Sequence, residues 1–347
     1  MNLTIALDAM GGDHAPQVVI AGADMARERF PDLRFLLYGD ERPLRDLLRT
    51  RARLASRSEI EHTPERVDPD ARPAQVLRQG RCTSMCLAIE AVKAGRASAA
   101  VSAGNTGALM ALAKFVLKTL PGIERPAIAS LMPTRRSETV FLDLGANAEC
   151  DADNLVQFAV MGEVFARAVL GVTKPTVGLL NIGTEDAKGH ETIREAAAAL
   201  RASHLPIEFR GFVEGTDLTS GKVDVVVTDG FTGNVALKVM EGTVGLYTQF
   251  LREAFKSSMR ARIGYALAKP ALQLLRQKLD PRRYNGAMFL GLNGIVVKSH
   301  GGTDALGFAN AIGVAVDLVQ QGTNQRITAE LNRLDEEAIR RRHARAS

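Results

Sequence analysis

Leu3 to Asp8 reads L-T-I-A-L-D, an alternating run that stops at an acidic residue and gives way to Met10-Gly11-Gly12-Asp13-His14 with Pro16 close behind. The alternation predicts a strand, and a strand that runs into paired glycines and charged side chains builds a site more often than a plain turn. The same design recurs along the chain. Residues 17–29 have the spacing of a helix, 33–38 of a strand ending at Gly39-Asp40, and 41–55 of a charged amphipathic helix. From 60 to 74 the chain is polar and contains proline, which predicts a surface connection, and 83–95 reads as a helix with Thr83 or Ser84 at its N-cap.

A buried strand at 97–102 leads into Gly104-Asn105-Thr106-Gly107 and an apolar helix, 108–120. Strands follow at 127–132 and 139–144, the second ending in Gly145-Ala146-Asn147 before a helix at 153–169. The strand at 176–181 leads into a loop over 183–189 and a helix through Arg201; strands at 207–212 and 223–228 come next, the latter ending in Asp229-Gly230-Phe231-Thr232-Gly233-Asn234 with a helix behind it. Repeated strand–loop–helix units predict an α/β fold, three-layer α/β/α, with a mostly parallel sheet covered on both faces. The turns 102–107 and 228–233 share the form [ST]-x-G-x-T-G, as if two turns solve one binding problem.

Residues 252–284 differ, mixing apolar Met259, Ile263 and Leu267 with basic Lys256, Arg260, Arg262, Lys269, Arg276 and Lys278, with a break expected at Pro270. That mixture predicts a projecting helical arm on a single α/β unit spanning residues 1–347, with core packing, a dimer contact and a membrane-facing hairpin as its alternatives; basic residues beside an apolar stripe mark an interfacial helix, which favours the membrane, and the same residues suit an acidic protein. An apolar strand at 294–298 then leads to His300-Gly301-Gly302, and a C-terminal helix ends in the basic run Arg340-Arg341-Arg342.

Composition narrows the partners. A net charge of +5 favours an acidic partner, an anionic substrate or an anionic membrane surface, while the absence of Trp and the presence of only four Tyr leave few stacking platforms for nucleic acid. No apolar run reaches membrane-spanning length and no export signal opens the chain, so a cytoplasmic protein is expected. Three cysteines, Cys82, Cys86 and Cys150, fit a reducing compartment, and no second Cys/His pair accompanies the first two to make a zinc site.

Glycine, asparagine and threonine dominate the turns after the strands. Glycine admits backbone N–H groups to a ligand and helix N-termini favour anions, a composition suited to phosphate and a developing oxyanion. On these grounds Asp8, Gly11, Gly12, His14, Gly104, Asn105, Thr106, Gly107, Asn147, Asn181, Asp229, Thr232 and Gly233 are candidates for substrate or phosphate binding, and Lys188, His300 and Asn234 for catalysis. Ordinary helix capping and turn formation are the alternative readings, and for Asn105, Thr106, Gly107, Thr232, Gly233 and Asn234 capping is compatible with binding. No P-loop is present: Gly215 to Lys222 comes nearest, one residue too long and followed by Val223. Neither a dinucleotide fingerprint in the first βα unit nor a nucleophile elbow occurs, and no histidine has an aspartate five positions on. Attack of inorganic phosphate on a thioester fits what remains, because phosphate is already anionic, a thiolate leaves readily, and the protein must mainly hold two reactants and stabilise an oxyanion. Cys150, just past the Gly145-Ala146-Asn147 turn, raises an acyl-cysteine route, which direct attack by phosphate does not need.

Five stretches together resemble the bacterial phosphate acyltransferase family PlsX: Asp8 to Asp13 with Pro16; Ser102 to Met110; Leu142 to Asn147; Leu180 to Gly183 with Lys188-Gly189; and Asp229 to Lys238. They keep the family's order across roughly residues 3–320. The resemblance implies a fold related to phosphotransacetylases and to the isocitrate/isopropylmalate dehydrogenases. It implies transfer of a long fatty acyl group from acyl carrier protein to inorganic phosphate, giving acyl phosphate for phospholipid synthesis, with neither metal nor other cofactor. It further implies a homodimer at the inner face of the membrane, where a membrane-bound glycerol-3-phosphate acyltransferase is the natural neighbour. The alternatives are a short-chain phosphotransacetylase using coenzyme A, a nicotinamide-dependent dehydrogenase on the related fold, and a non-enzymatic membrane scaffold for lipid-synthesis proteins.

Overall fold

The computed structural model describes residues 3–203, 207–278 and 286–332. Eleven strands form one sheet: β1 (Thr4–Asp8), β2 (Arg34–Gly39), β3 (Ser58–His62), β4 (Ala99–Ser102), β5 (Ala127–Pro133), β6 (Glu138–Leu142), β7 (Thr176–Leu180), β8 (Glu208–Val213), β9 (Val225–Val227), β10 (Ala287–Leu290) and β11 (Ile295–Lys298). Their order is β3-β2-β1-β4-β11-β10-β5-β6-β9-β7-β8. The helices are α1 (Gln17–Arg29), α2 (Glu41–Arg49), α3 (Ala52–Ala55), α4 (Pro73–Gln79), α5 (Ser84–Lys93), α6 (Thr106–Leu117), α7 (Ala152–Leu170), α8 (Glu191–Ala202), α9 (Gly230–Lys256), α10 (Met259–Lys278) and α11 (Ala305–Gln320).

The strands alternate as a doubly covered sheet requires. Ile5 and Leu7, Phe35 and Leu37, Val140 and Leu142, and Val225 and Val227 point into one core with side chains of α1, α7, α8 and α11. Ala6, Leu36, Phe141 and Val226 point into the other, with side chains of α5, α6 and the base of α9. Three layers result, as the sequence pattern predicts.

Most pairings are parallel, but β10 runs antiparallel to both β11 and β5, and β5 antiparallel to β6. Three reversals leave the β6-β9-β7-β8 half pointing opposite to the β3-β2-β1-β4-β11 half. This changes the expected picture of the site, because the carboxyl ends of the two halves open at opposite edges of the sheet. Strands of four to five residues set those edges about 15 Å apart at about 3.3 Å per residue.

Several boundaries differ from the sequence expectation. The 41–55 helix divides at Thr50-Arg51 into α2 and α3. The 60–74 connection loses its first residues to β3 and its last to α4, where Pro73 takes the first helical turn. The short antiparallel β10 has too little sequence to show a period. The projecting helices begin far earlier than 252: α9 starts at Gly230 and runs 27 residues, about 40 Å at 1.5 Å each. Pro270 lies inside α10, where it removes one main-chain donor without ending the helix. Residues 279–284 of the expected arm and the basic run 340–342 fall outside the described residues.

Candidate active site

The first edge gathers the loops after β1, β4 and β11. Asp8, at the end of β1, is buried, and its carboxylate accepts hydrogen bonds from the Ser84 and Ser102 hydroxyls, each at 2.6 Å, and from the Met10 amide at 3.3 Å. Burial pushes its pKa up while these donors pull it down. The turn is closely built around that carboxylate. A Cβ on Gly11 would run into Asp8 Oδ2 and approach the Gly104 amide to 2.8 Å. Gly12 has φ +100°, and a Cβ there would meet Ala103 Cβ at 2.9 Å and the Gly301 carbonyl at 3.1 Å. The Asp13 amide donates to that same Gly301 carbonyl at 2.9 Å, so the β1 and β11 loops are laced together.

Asn105 caps α6, its Oδ1 accepting from the Ala108 amide at 2.9 Å and its Nδ2 donating to the Pro69 carbonyl at 2.6 Å. The capping reading therefore holds for Asn105, while Thr106 and Gly107 are exposed in the first helical turn. His14 is exposed. His300 is exposed too, and its Nδ1 accepts from the Gly302 amide at 3.2 Å.

Lys298 also lies at this edge, outside the residues expected from the sequence. It ends β11, level with Ser102 of β4 and Ala287 of β10, and is only 9% exposed. Its Nζ donates to the Ala103 carbonyl at 3.3 Å and to the Ser299 carbonyl. Burial pulls its pKa down to about 8 against the opposing pull of Asp8 and Asp13. The available signal was a lysine closing a fully apolar strand, V-V-K, directly before Ser299-His300-Gly301-Gly302.

The second edge gathers the loops after β6, β7 and β9. Asp143 is fully buried and accepts from the amides of Ile128, Gly145, Ala146 and Asn147 at 2.8–3.2 Å and from Asn147 Nδ2 at 2.9 Å. Burial nonetheless pushes its pKa up. Asn147 Nδ2 also reaches the Pro126 carbonyl at 2.8 Å. Asp229 caps α9, accepting from the Thr232 amide and hydroxyl at 2.8 and 2.7 Å. A Cβ on Gly233 would overlap the Asp143 carbonyl, and one on Gly145 would meet Asn234 Nδ2 at 2.7 Å. Asn181 bridges its loop, with Nδ2 donating to the Lys188 carbonyl at 3.0 Å and Oδ1 accepting from the Ile182 amide at 2.9 Å. The Lys188 side chain is exposed. A cavity of about 190 Å³ opens here, lined by Cys150, His190, Thr192, Thr228 and Asp229 among others. Cys150 is no thiolate: burial, with Asp143 nearby, pushes its pKa up to about 12.

The candidate residues thus separate into two groups. Asp8, Gly11, Gly12, His14, Gly104 to Gly107 and His300 share the first edge; Asn147, Asn181, Lys188, Asp229, Thr232, Gly233 and Asn234 share the second. At the second edge the side chains of Asn147, Asn181 and Asp229 are engaged in building turns. The first edge combines a buried ammonium with backbone at paired glycines. No group of three or more potential metal-binding side chains occurs among the described residues.

Solved structures fix the fold class. A phosphotransacetylase from Streptococcus pyogenes superposes with a TM-score of 0.61 at 18% identity, covering 92% of this chain and 94% of its own. A branched-chain phosphotransacylase from Enterococcus faecalis V583 gives 0.55 at 13%, covering 91% and 99%. The chain has the phosphotransacetylase type of α/β/α fold. Sequence relatives are far nearer: the model of the family described as "Fatty acid synthesis protein" matches residues 3–326. A "Phosphate acyltransferase" of Rhodospirillum centenum is 66% identical over 95% of this chain and 93% of its own length, and one of Paramagnetospirillum magneticum 61% identical over 96% and 95%. The chain therefore belongs to the fatty acid synthesis protein family, the PlsX family of phosphate acyltransferases, and is an acyltransferase of lipid synthesis.

Proposed function

We propose that the protein transfers a long-chain fatty acyl group from acyl carrier protein to inorganic phosphate, releasing acyl phosphate and the carrier thiol. One observation supports the direct route: the serines beside Asp8 and the cysteines Cys86 and Cys150 offer no activated acyl acceptor. The Ser84 and Ser102 hydroxyls are buried and donate to Asp8. Burial holds Cys86 at about 11 and Cys150 at about 12, so neither is a thiolate near neutral pH. A direct acceptor, the second substrate, needs no such group. Phosphate supplies an anionic oxygen, and the first edge supplies closely approaching backbone at Gly11 and Gly12 for a developing oxyanion. Within this reading His300 meets phosphate at the first edge, and the catalytic parts expected of Lys188 and Asn234 require the second edge to be reached by the same substrate.

The α9–α10 hairpin supports the lipid side of the reading. Its two helices pack on each other, with Phe255 and Tyr265 edge to face at 5.3 Å. Residues 241–250 of α9 are exposed throughout, including Leu246, Tyr247 and Phe250. Met259, Ile263 and Leu267 on α10 are 73%, 60% and 79% exposed, beside exposed Arg260, Arg262 and Lys269. So much apolar surface calls for a second copy of the chain, a membrane surface, or both. No helix among the described residues is long and apolar enough to cross a membrane, so contact with the inner leaflet would be peripheral.

The test is turnover of palmitoyl-acyl carrier protein and palmitoyl-coenzyme A by the purified protein, with and without phosphate, following acyl phosphate. Phosphate-dependent acyl phosphate with preference for the carrier thioester is expected. Product from acetyl-coenzyme A in preference to both would favour the short-chain phosphotransacetylase, and no phosphate-dependent product would end the reading.

A further inference from the structure

We propose that Lys298 is the proton donor to the departing thiolate, a catalytic residue where the loops of the first edge converge. The assignment rests on the phosphate acyltransfer reading above and adds a role for a residue that reading leaves unused. Lys298 sits where the loops after β1, β4 and β11 converge, and its ammonium is bonded to two main-chain carbonyls, of Ala103 and Ser299. An ammonium has three donors, so one N–H remains beyond these two bonds. Carbonyl partners orient the group without taking its proton.

The charges around it decide between holding phosphate and protonating sulfur. Asp8 and Asp13, from β1 and the loop behind it, are the charged groups acting on Lys298. Its register neighbours Ser102 on β4 and Ala287 on β10 carry no charge. On the remaining loop, the imidazole of His300 faces the Gly302 amide through Nδ1, and Asp304 caps α11 by accepting from the Gly307 amide at 3.0 Å. Two carboxylates beside one ammonium repel a phosphate dianion. They do not repel a neutral thioester, whose sulfur becomes anionic only as the bond to carbon breaks. The buried ammonium, drawn down to about 8, is then close to an ordinary thiol at about 8.5, the match that proton transfer favours.

The step balances. A phosphate oxygen attacks the thioester carbonyl carbon and forms the C–O bond; the tetrahedral intermediate collapses and the C–S bond breaks with its electron pair on sulfur. The sulfur takes a proton from Lys298, leaving thiol, acyl phosphate and a neutral amine, which regains its proton from water.

Three measurements test this. With palmitoyl-acyl carrier protein and saturating phosphate, wild-type kcat should fall as pH rises through about 8, because the donor must be protonated. Lys298→Arg keeps the charge but holds its proton; it should lose about 10²-fold in kcat, keep the KM for phosphate and abolish the fall above pH 8. Lys298→Met should show the same loss on an octanoyl pantetheine thioester and little on an octanoyl thiophenyl ester, whose thiolate leaves unprotonated. Circular dichroism of both variants checks folding, and Lys298→Arg carries the test if Lys298→Met does not fold. Wild-type kcat in Lys298→Arg, an unchanged alkaline fall, a raised phosphate KM at unchanged kcat, or equal losses on the two thioesters would overturn the assignment. Absence of acyl phosphate from the wild-type protein is a separate result that overturns the underlying reading and this assignment with it.

Discussion

Asp8 and Lys298 show what one residue's surroundings add to its letter. In the sequence Asp8 is an acid at the end of a strand; in the fold it is a buried acceptor, bonded by two serines and the Met10 amide, at the start of the turn on which Gly11 and Gly12 sit. Lys298 reads as the last residue of an apolar strand and becomes a buried cation among the loops of the first edge. Cys150 moves the other way. Its place past a glycine turn invites a covalent mechanism, yet burial keeps the thiol protonated, with a pKa of about 12. Cys150→Ala is therefore expected to keep full turnover of palmitoyl-acyl carrier protein with phosphate; loss of activity with retained folding would restore the acyl-cysteine route.

The α9–α10 hairpin is the element that its own chain explains least. A 27-residue helix is ordinarily held by a buried stripe, yet past its first turns α9 exposes nearly every side chain. Gly242 and Gly245 have nothing within 4 Å of where a Cβ would stand, so they are not there for packing within the chain. Leu267, at 79% exposure, lies among apolar and basic neighbours. If this face meets the membrane, Leu267→Glu should cut co-sedimentation with anionic vesicles strongly, because it adds a charge where apolar surface would be buried, while acyl phosphate formation in solution persists. Unchanged sedimentation would assign the face to a second copy of the chain or to the carrier.

The whole molecule is organised by a sheet whose two halves run in opposite directions. Each half places its glycine-rich turns at its own carboxyl edge, so the paired [ST]-x-G-x-T-G turns, alike in sequence, stand at opposite edges and five strand positions apart in the sheet. The two turns also start their helices differently, Asn105 capping α6 from the fourth position of the pattern and Asp229 capping α9 from the second. At this scale charge also matters: the chain carries +5, and an acidic carrier should be drawn to it. For palmitoyl-acyl carrier protein, kcat/KM is expected to drop about tenfold between roughly 0.01 and 1 M ionic strength, as the screening length falls from about 30 to 3 Å. A salt-independent kcat/KM would show that the carrier docks without steering.

By itself the sequence determined the layered α/β architecture, most element boundaries and the turns that matter, because strand alternation, helix spacing and glycine at strand ends are local consequences of backbone geometry. It determined the family as well, through motifs in fixed order. Tertiary structure alone decided which turns meet. Strand direction depends on where β10 inserts, and that four-residue strand has no period of its own to read. Only the fold could also show that Asn105, Asn147 and Asn181 spend their side chains on turns, and that a lysine at the end of an apolar strand stands among carbonyls beside Asp8. Burial and the neighbours that set a group's charge come from residues far apart in the chain, and no local pattern records them.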